Sequence, residues 1–520
     1  MRFARDMLPS FPGVSVPERF VVTPPDLRPA NANLARDFYN GQFTFAGQTV
    51  QVGNGTPFSA DAPSPEWAAE LHGFRWLRHM AGASGLLPSA QAKTLVSDWQ
   101  TICARKQRAP WQETGITAMR LIAFLQGGRF LLTGADHAFY RSFMRMIATH
   151  VGALQREASR AASPIARTRA HVALGLASLS LPVSESVSKK AMERLGSCLD
   201  ETVLADGGFV SRNPDDLADI AADLLSLAKS CKALNQPVPA PVIRTLDRAL
   251  PRLRSYVHGD GELATFCGAR GGSALLVKAL LSTDETAAKP TAHAPQAGFV
   301  TLHNAGSAVI GDVGVRQSRI TANAYQSLSA VEFSNAGERL CVNVGTPSAQ
   351  QEKYAAIVEG AAAHNRLVLE DSDVPATDGW LERLQTWPDM ADGDSGYVMT
   401  YSVEVGSERL SLVRGFRLSK DGKVFDGFDR IVSGANGRSI AIHFHLPAAI
   451  KMLNHGDAFC SLETHLGRRW RVSAEGALLT VVPSVQMAHP AGRQASLCIR
   501  LGFSGVDGAT AAWRWAQEAG

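Results

Sequence analysis

The apolar pattern of this chain changes period once, near residue 282, and that change limits what it can fold into. From about Pro63 to Leu281 apolar residues recur at the three-to-four spacing of one helix face; beyond Pro295, short runs read as strands. The first half predicts about eight helices, near 65–82, 89–107, 114–126, 136–158, 164–180, 185–203, 214–234 and 240–256. Start signals stand at Ser64-Pro65-Glu66, Ser163-Pro164 and Asn213-Pro214. Consecutive helices with short connections pack as antiparallel pairs, closing into a bundle, a solenoid or a toroid. The second half predicts strands at 308–312, 329–334, 339–344, 366–370, 398–405 and 410–418, then near 438–446, 458–464, 468–473, 478–482 and 495–503. Asp421-Gly422 marks a hairpin between Arg417-Leu-Ser and Val424-Phe. Such a series makes a large antiparallel sandwich. The expected fold class is therefore α+β and multidomain: an N-terminal extension (1–62), a helical domain (63–283), a polar, Pro-containing linker (284–296) and a β-sandwich domain (297–520), with an active cleft expected between the halves.

Composition removes several classes of function. With 520 residues and 45% hydrophobic content the chain can bury more than one core. A net charge of +4 from 52 basic and 48 acidic residues, without a long Lys/Arg run, argues against nucleic acid as a partner. The seven cysteines are scattered and show no C-x-x-C spacing, which suits reduced, buried thiols. No stretch of about 18 uncharged apolar residues implies a membrane span, and the first residues are broken by Asp6, Pro9, Pro12 and Gly13 where a secretory signal needs an apolar core. A cytoplasmic protein is expected. Its oligomeric state is not readable.

The stretch Asp206-Gly-Gly-Phe-Val-Ser-Arg-Asn-Pro214 carries the densest local signal. Gly207 and Gly208 suit a tight turn, Asn213 an N-cap, Pro214 the first helical position, and Asp215 and Asp216 the positive end of the helix dipole. Polar groups held at a helix entrance can meet an anionic ligand, although Asn213 can equally serve only as the cap. The pair His443-Phe-His445 has the i, i+2 spacing of one strand face and no nearby carboxylate, a pattern that favours two ordinary histidines over a metal site.

Several segments resemble the heparinase II/III-like family of polysaccharide lyases: Gly73-Phe-Arg-Trp-Leu-Arg-His79, Trp111-Gln-Glu-Thr with Arg120-Leu-Ile-Ala-Phe, the Asp206–Pro214 stretch, His258-Gly-Asp-Gly-Glu-Leu-Ala-Thr-Phe266 and Ala363-His-Asn365. The resemblance implies an incomplete α/α toroid followed by an antiparallel β-sandwich, and β-elimination on an acidic polysaccharide or oligosaccharide. Elimination needs a group that neutralises the uronate carboxylate, a base for the C5 proton and an acid for the departing O4. On this resemblance Arg212 or Asn213 would hold the carboxylate, Tyr256 or Tyr325 would transfer the proton, and His364 would orient one of them. Trp111, Arg120, His258, Asn323 and Asn365 would line the substrate groove, with Arg75, Trp76, Arg78, Arg316 and Arg319 as further candidates.

The chain departs from the family's motifs at informative positions. Phe209 stands where the family's "DGGH" has histidine, and Asn323-Ala-Tyr325 stands where it has "HAHAD". The structural zinc that relatives hold would face His364, Tyr325 and Asn343 here, a poor set for zinc, so no metal and no cofactor are expected. A non-catalytic carbohydrate-binding or polysaccharide-assembly protein that lost the sandwich histidines is the main alternative, and a hydrolase using Asp206 and Asp260 a further one. The family resemblance also raises periplasm or cell envelope against the cytoplasmic expectation.

Overall fold

The computed structural model describes residues 16–83, 85–104, 109–283, 288, 291–314, 327–347, 352–370, 377–489 and 492–518. These form two compact units, Met1–Val203 with Asp219–Asp247, and Leu204–Ala218 with Arg248–Gly520. That division differs from the expected boundary at 284–296. The chain leaves the first unit after Val203, re-enters it within the helix Pro214–Ala233 and leaves it again within Ala240–Ser255, so the segments 204–218 and 248–283 belong with the sheets. One physical reason lies at Asp206, whose Oδ2 accepts the backbone N–H groups of Gln296 (2.7 Å) and Ala297 (2.8 Å) and so joins the turn to the sheet unit. Within 16–62, the helix Ala32–Tyr39 and the hairpin Gln42–Phe45/Gln48–Gln51 belong to the first unit, where Phe38 stacks on Phe43 at 5.1 Å.

In the first unit the helices follow the predicted starts. Ser64 Oγ accepts the N–H of Trp67, with Pro65 in the first turn, and Asp136 Oδ1 accepts that of Phe139. The helix expected over 65–82 is two, Pro65–Gly73 and Leu77–Ala81, because Phe74 takes a left-handed conformation (φ 58°) that ends the first. Pro164–Ser180 and Thr114–Gln126 are buried around much of their circumference, which places them at the centre of the helical packing.

The second unit is built from antiparallel sheets. One has eight strands in the spatial order Lys451–His455, Phe459–Glu463, Arg469–Glu475, Thr510–Gln517, Val424–Ser433, Glu408–Leu418, Ser395–Val405, Thr377–Thr386. A four-stranded sheet runs Leu478–Gln486, Gln494–Gly505, Arg438–His445, Leu367–Leu369, and a five-stranded one runs from His293–Ala294 to Glu338–Cys341 in chain order. Val309, Phe333, Met399, Phe416, Phe425, Ile442, Trp470, Ile499 and Trp515 belong to a single core drawn from all three. Burial of that shared apolar face is what fixes strand register, since a one-residue slip would turn each of these side chains outward.

Candidate functional site

The turn at Asp206–Phe209 is a structural device. Gly207 has φ +87°, and a Cβ there would lie 2.0 Å from the carbonyl oxygen of Arg248, so no other residue fits. Past it, Arg212 itself adopts φ +60° and points into the sheet unit. Its guanidinium donates to the carbonyls of Ala297 (2.8 Å) and Gly298 (3.3 Å) and to Asp312 Oδ1 (2.5 Å), and it lies over the Phe299 ring at 4.8 Å. Burial disfavours this cation, but the Asp312 carboxylate outweighs it and leaves the guanidinium more firmly protonated than usual. Asp312 is itself fully enclosed, accepting also from the Gly314 N–H and from Ser327.

Asn213 is the cap of the next helix, its Oδ1 accepting the Asp215 N–H at 2.8 Å. Tyr256 packs its ring edge-on against Phe299 at 5.2 Å, under Arg252 at 5.9 Å, and is 2% exposed. Burial pushes its phenol well above the usual range. Arg212 and Tyr256 thus gather on the same Phe299 ring. His258 lies beside a different carboxylate: Nε2 is 2.9 Å from Glu332 and Nδ1 is 2.9 Å from Ser334 Oγ, all buried. Glu332 also accepts from Thr265 Oγ1, Thr265 N and Asn343 N. Burial alone would raise its pKa; His258 and the other donors bring it below the ordinary value.

His364 is 2% exposed, and neither ring nitrogen has a hydrogen-bond partner among the described residues. Burial, helped by the charge of Arg366, lowers its pKa to about 3, so the ring is a neutral imidazole. Asn365 beside it is a framework residue: Nδ2 donates to the Val331 carbonyl, Oδ1 accepts from His445 N, and its backbone N–H reaches Asn343 Oδ1. Asn343 Nδ2 in turn donates to the Thr265 carbonyl. An amide so engaged is no anionic ligand, so His364 and Asn343 do not fit the zinc that relatives hold. Asn323, Tyr325, Arg316 and Arg319 lie outside the described residues.

Of the predicted groove residues in the helical unit, Arg120 is wholly buried. It donates to His150 Nε2 (2.8 Å) and to the carbonyls of His72 (2.8 Å) and Trp111 (3.1 Å), and lies over Trp99. Arg120 therefore has no face for a sugar and organises the core. Trp111 is half-buried and stacks on His72 at 4.4 Å; Trp76 is buried; Arg75 is paired with Asp219, and Arg78 donates to the Arg75 carbonyl. The hydrolase pair is taken up as well, Asp206 by the turn and Asp260 by Arg339 at 2.7 Å. Sequence reasoning missed Asp312 and Glu332, the carboxylates on which Arg212 and His258 close. A cavity of about 590 Å³ opens elsewhere in the sheet unit, lined by Arg254, His303, Asn304, Asp394, Ser395 and Tyr397 among others, and includes none of the predicted catalytic residues that are described.

Helices followed by antiparallel sheets, together with the family match of the sheet region, make this a polysaccharide-lyase-like protein in fold and family. Residues 286–516 match the heparinase II/III-like C-terminal family and form a domain of that family. The crystal structure of heparinase III superposes with a TM-score of 0.72 at 13% identity, covering 97% of this chain and 86% of that one. A mutant of the heparan sulfate lyase HepC from Pedobacter heparinus superposes with a TM-score of 0.61, also at 13% identity, over 96% and 86% of the two chains. Likeness at that identity is likeness of fold. Among curated proteins, the FtsZ-localized protein C of Caulobacter vibrioides (strain NA1000 / CB15N) is 25% identical over 508 residues, 92% of this chain and 87% of its own. No described helix is long and apolar enough to cross a membrane.

Proposed function

We propose that this protein binds an acidic, uronate-containing polysaccharide or oligosaccharide without cleaving it, and that it does so where FtsZ is located. The observation that carries the first half is the Arg212–Asp312 pair. A lyase needs its carboxylate-gripping group free to neutralise the substrate, and here an enclosed protein carboxylate already occupies that cation. Asn213 caps a helix and Tyr256 is sunk beside Phe299, so two further groups expected to serve elimination are also held by the fold. The cavity at Tyr397, His303 and Asn304 offers an aromatic face and polar groups in a concave surface, the features of a sugar site. The FtsZ half rests on likeness along most of the chain to a protein of that description.

Elimination itself is the second reading, favoured by His364. Both nitrogens of this neutral imidazole are unpaired among the described residues, but with a pKa lowered to about 3 the ring takes a proton poorly, so bound substrate would have to raise it and nearby Asp312 would have to release Arg212 for the reaction to proceed. Titrating the purified protein with a panel of uronate polymers, by calorimetry and by ultraviolet absorbance of unsaturated ends, separates the two. Binding that weakens in Tyr397→Ala, without absorbance, supports the proposal; no binding anywhere in the panel overturns it. For location, a fluorescent fusion that fails to follow FtsZ removes the second half.

A further inference from the structure

The strand Arg438–His445 pairs with Gln494–Gly505 so that His445 stands opposite Cys498, while His443, two residues earlier, occupies the same face. The three side chains each bring one ligand atom within 4.8 Å of the others, and the histidine rings meet edge to face at 5.9 Å. We propose that His443, His445 and Cys498 form a binding site for a soft divalent ion of the zinc class, held on the outer face of the four-stranded sheet.

Two nitrogens and a sulfur are a donor set that favours zinc over magnesium or calcium, and three protein ligands leave a fourth position open. His443 Nε2 is buried with no hydrogen-bond partner among the described residues, an orphan nitrogen at the cluster, and a Glu370 carboxylate oxygen is 3.6 Å away. His443 Nδ1 and His445 Nε2 converge on one backbone oxygen, that of Ala362, at 3.5 and 2.8 Å, and Ser484 Oγ holds His445 Nδ1 at 2.8 Å. A metal competes with one of those two contacts of His445; the other keeps the ring oriented, the usual work of an outer hydrogen bond. Glu370, ion-paired with Arg500, stands beside His443 Nε2. Burial keeps both imidazoles neutral, the ligating form, while the Cys498 thiol, pushed up to about 12, would give its proton to solvent as the metal–sulfur bond forms. Tetrahedral bond lengths ask the donor atoms to close to ~3.5 Å from one another, a shift of about 1 Å. The consequence is local: Ala362 lies two residues before His364, so an ion that competes for the histidine contacts to the Ala362 carbonyl would act on the turn that presents His364.

The test uses the full chain, stripped with a chelator and titrated with Co(II) and Zn(II). One equivalent of Co(II) should produce a thiolate-to-cobalt charge-transfer band and the intense visible bands of a tetrahedral site, reversed by Zn(II). Cys498→Ser should remove the charge-transfer band. His443→Gln, at a partly exposed position, should keep the fold by circular dichroism while weakening Zn(II) by more than the ~10–100-fold that loss of an outer partner costs. A cobalt spectrum without the thiolate band, or Zn(II) affinity equal in wild type and both variants, overturns the site.

Discussion

Arg212 Nη2 stands 2.5 Å from Asp312 Oδ1, and the carboxylate it meets is enclosed. Removing one member of such a pair strands the other charge away from water. Asp312→Asn should therefore lower unfolding free energy by about 3–5 kcal/mol, whereas an exposed ion pair would give about 0–1 kcal/mol. Urea denaturation of the wild type and the variant measures the difference, and a loss under about 1 kcal/mol would mean the pair is not closed in solution.

Arg120 predicts a core effect of a different kind. Its charge is buried with no carboxylate paired to it among the described residues, and its pKa falls to about 9 through burial. Arg120→Met keeps the volume but leaves His150 Nε2 and the His72 and Trp111 carbonyls short of a donor, at about 1–3 kcal/mol for each group left unpaired. Stability should fall by a few kcal/mol while the folded variant binds polymer as before. A variant of unchanged stability with lost binding would return Arg120 to a groove.

Buried histidines set the acid response. His150 and His364 both titrate near 3 in the folded chain against an ordinary 6.5, chiefly through burial. Because their folded values are depressed, their contribution is complete above pH 6.5 and is lost as pH falls toward 3. Within that window each should remove about 1.4 kcal/mol per pH unit. Urea midpoints at pH 7.5 and 5.5 should differ, and less so in His364→Gln; identical midpoints would place these rings in contact with water.

The helices were legible because their caps are local: Ser64, Asp136 and Asn213 lie beside the turns they close. The break at Phe74 was not, since a left-handed phenylalanine follows from packing rather than propensity. The strand Phe299–Asn304 escaped notice because its first four residues are all buried and show no alternation, and Lys451–His455 because it is mostly polar and exposed. In the site, Asn213 was readable as a cap from its neighbours. The residues that close Arg212 and His258 were not, because Asp312 is 100 residues from one and Glu332 is 74 from the other. The partner of His443 and His445 was hidden in the same way, on the strand that pairs with theirs.

Ultraviolet absorbance of uronate polymers incubated with the purified protein reads directly whether the enclosed Arg212 leaves room for elimination chemistry. The account predicts no unsaturated product across the panel, from the wild type or from Tyr256→Phe alike. Product formed by the wild type and abolished in Tyr256→Phe would contradict it.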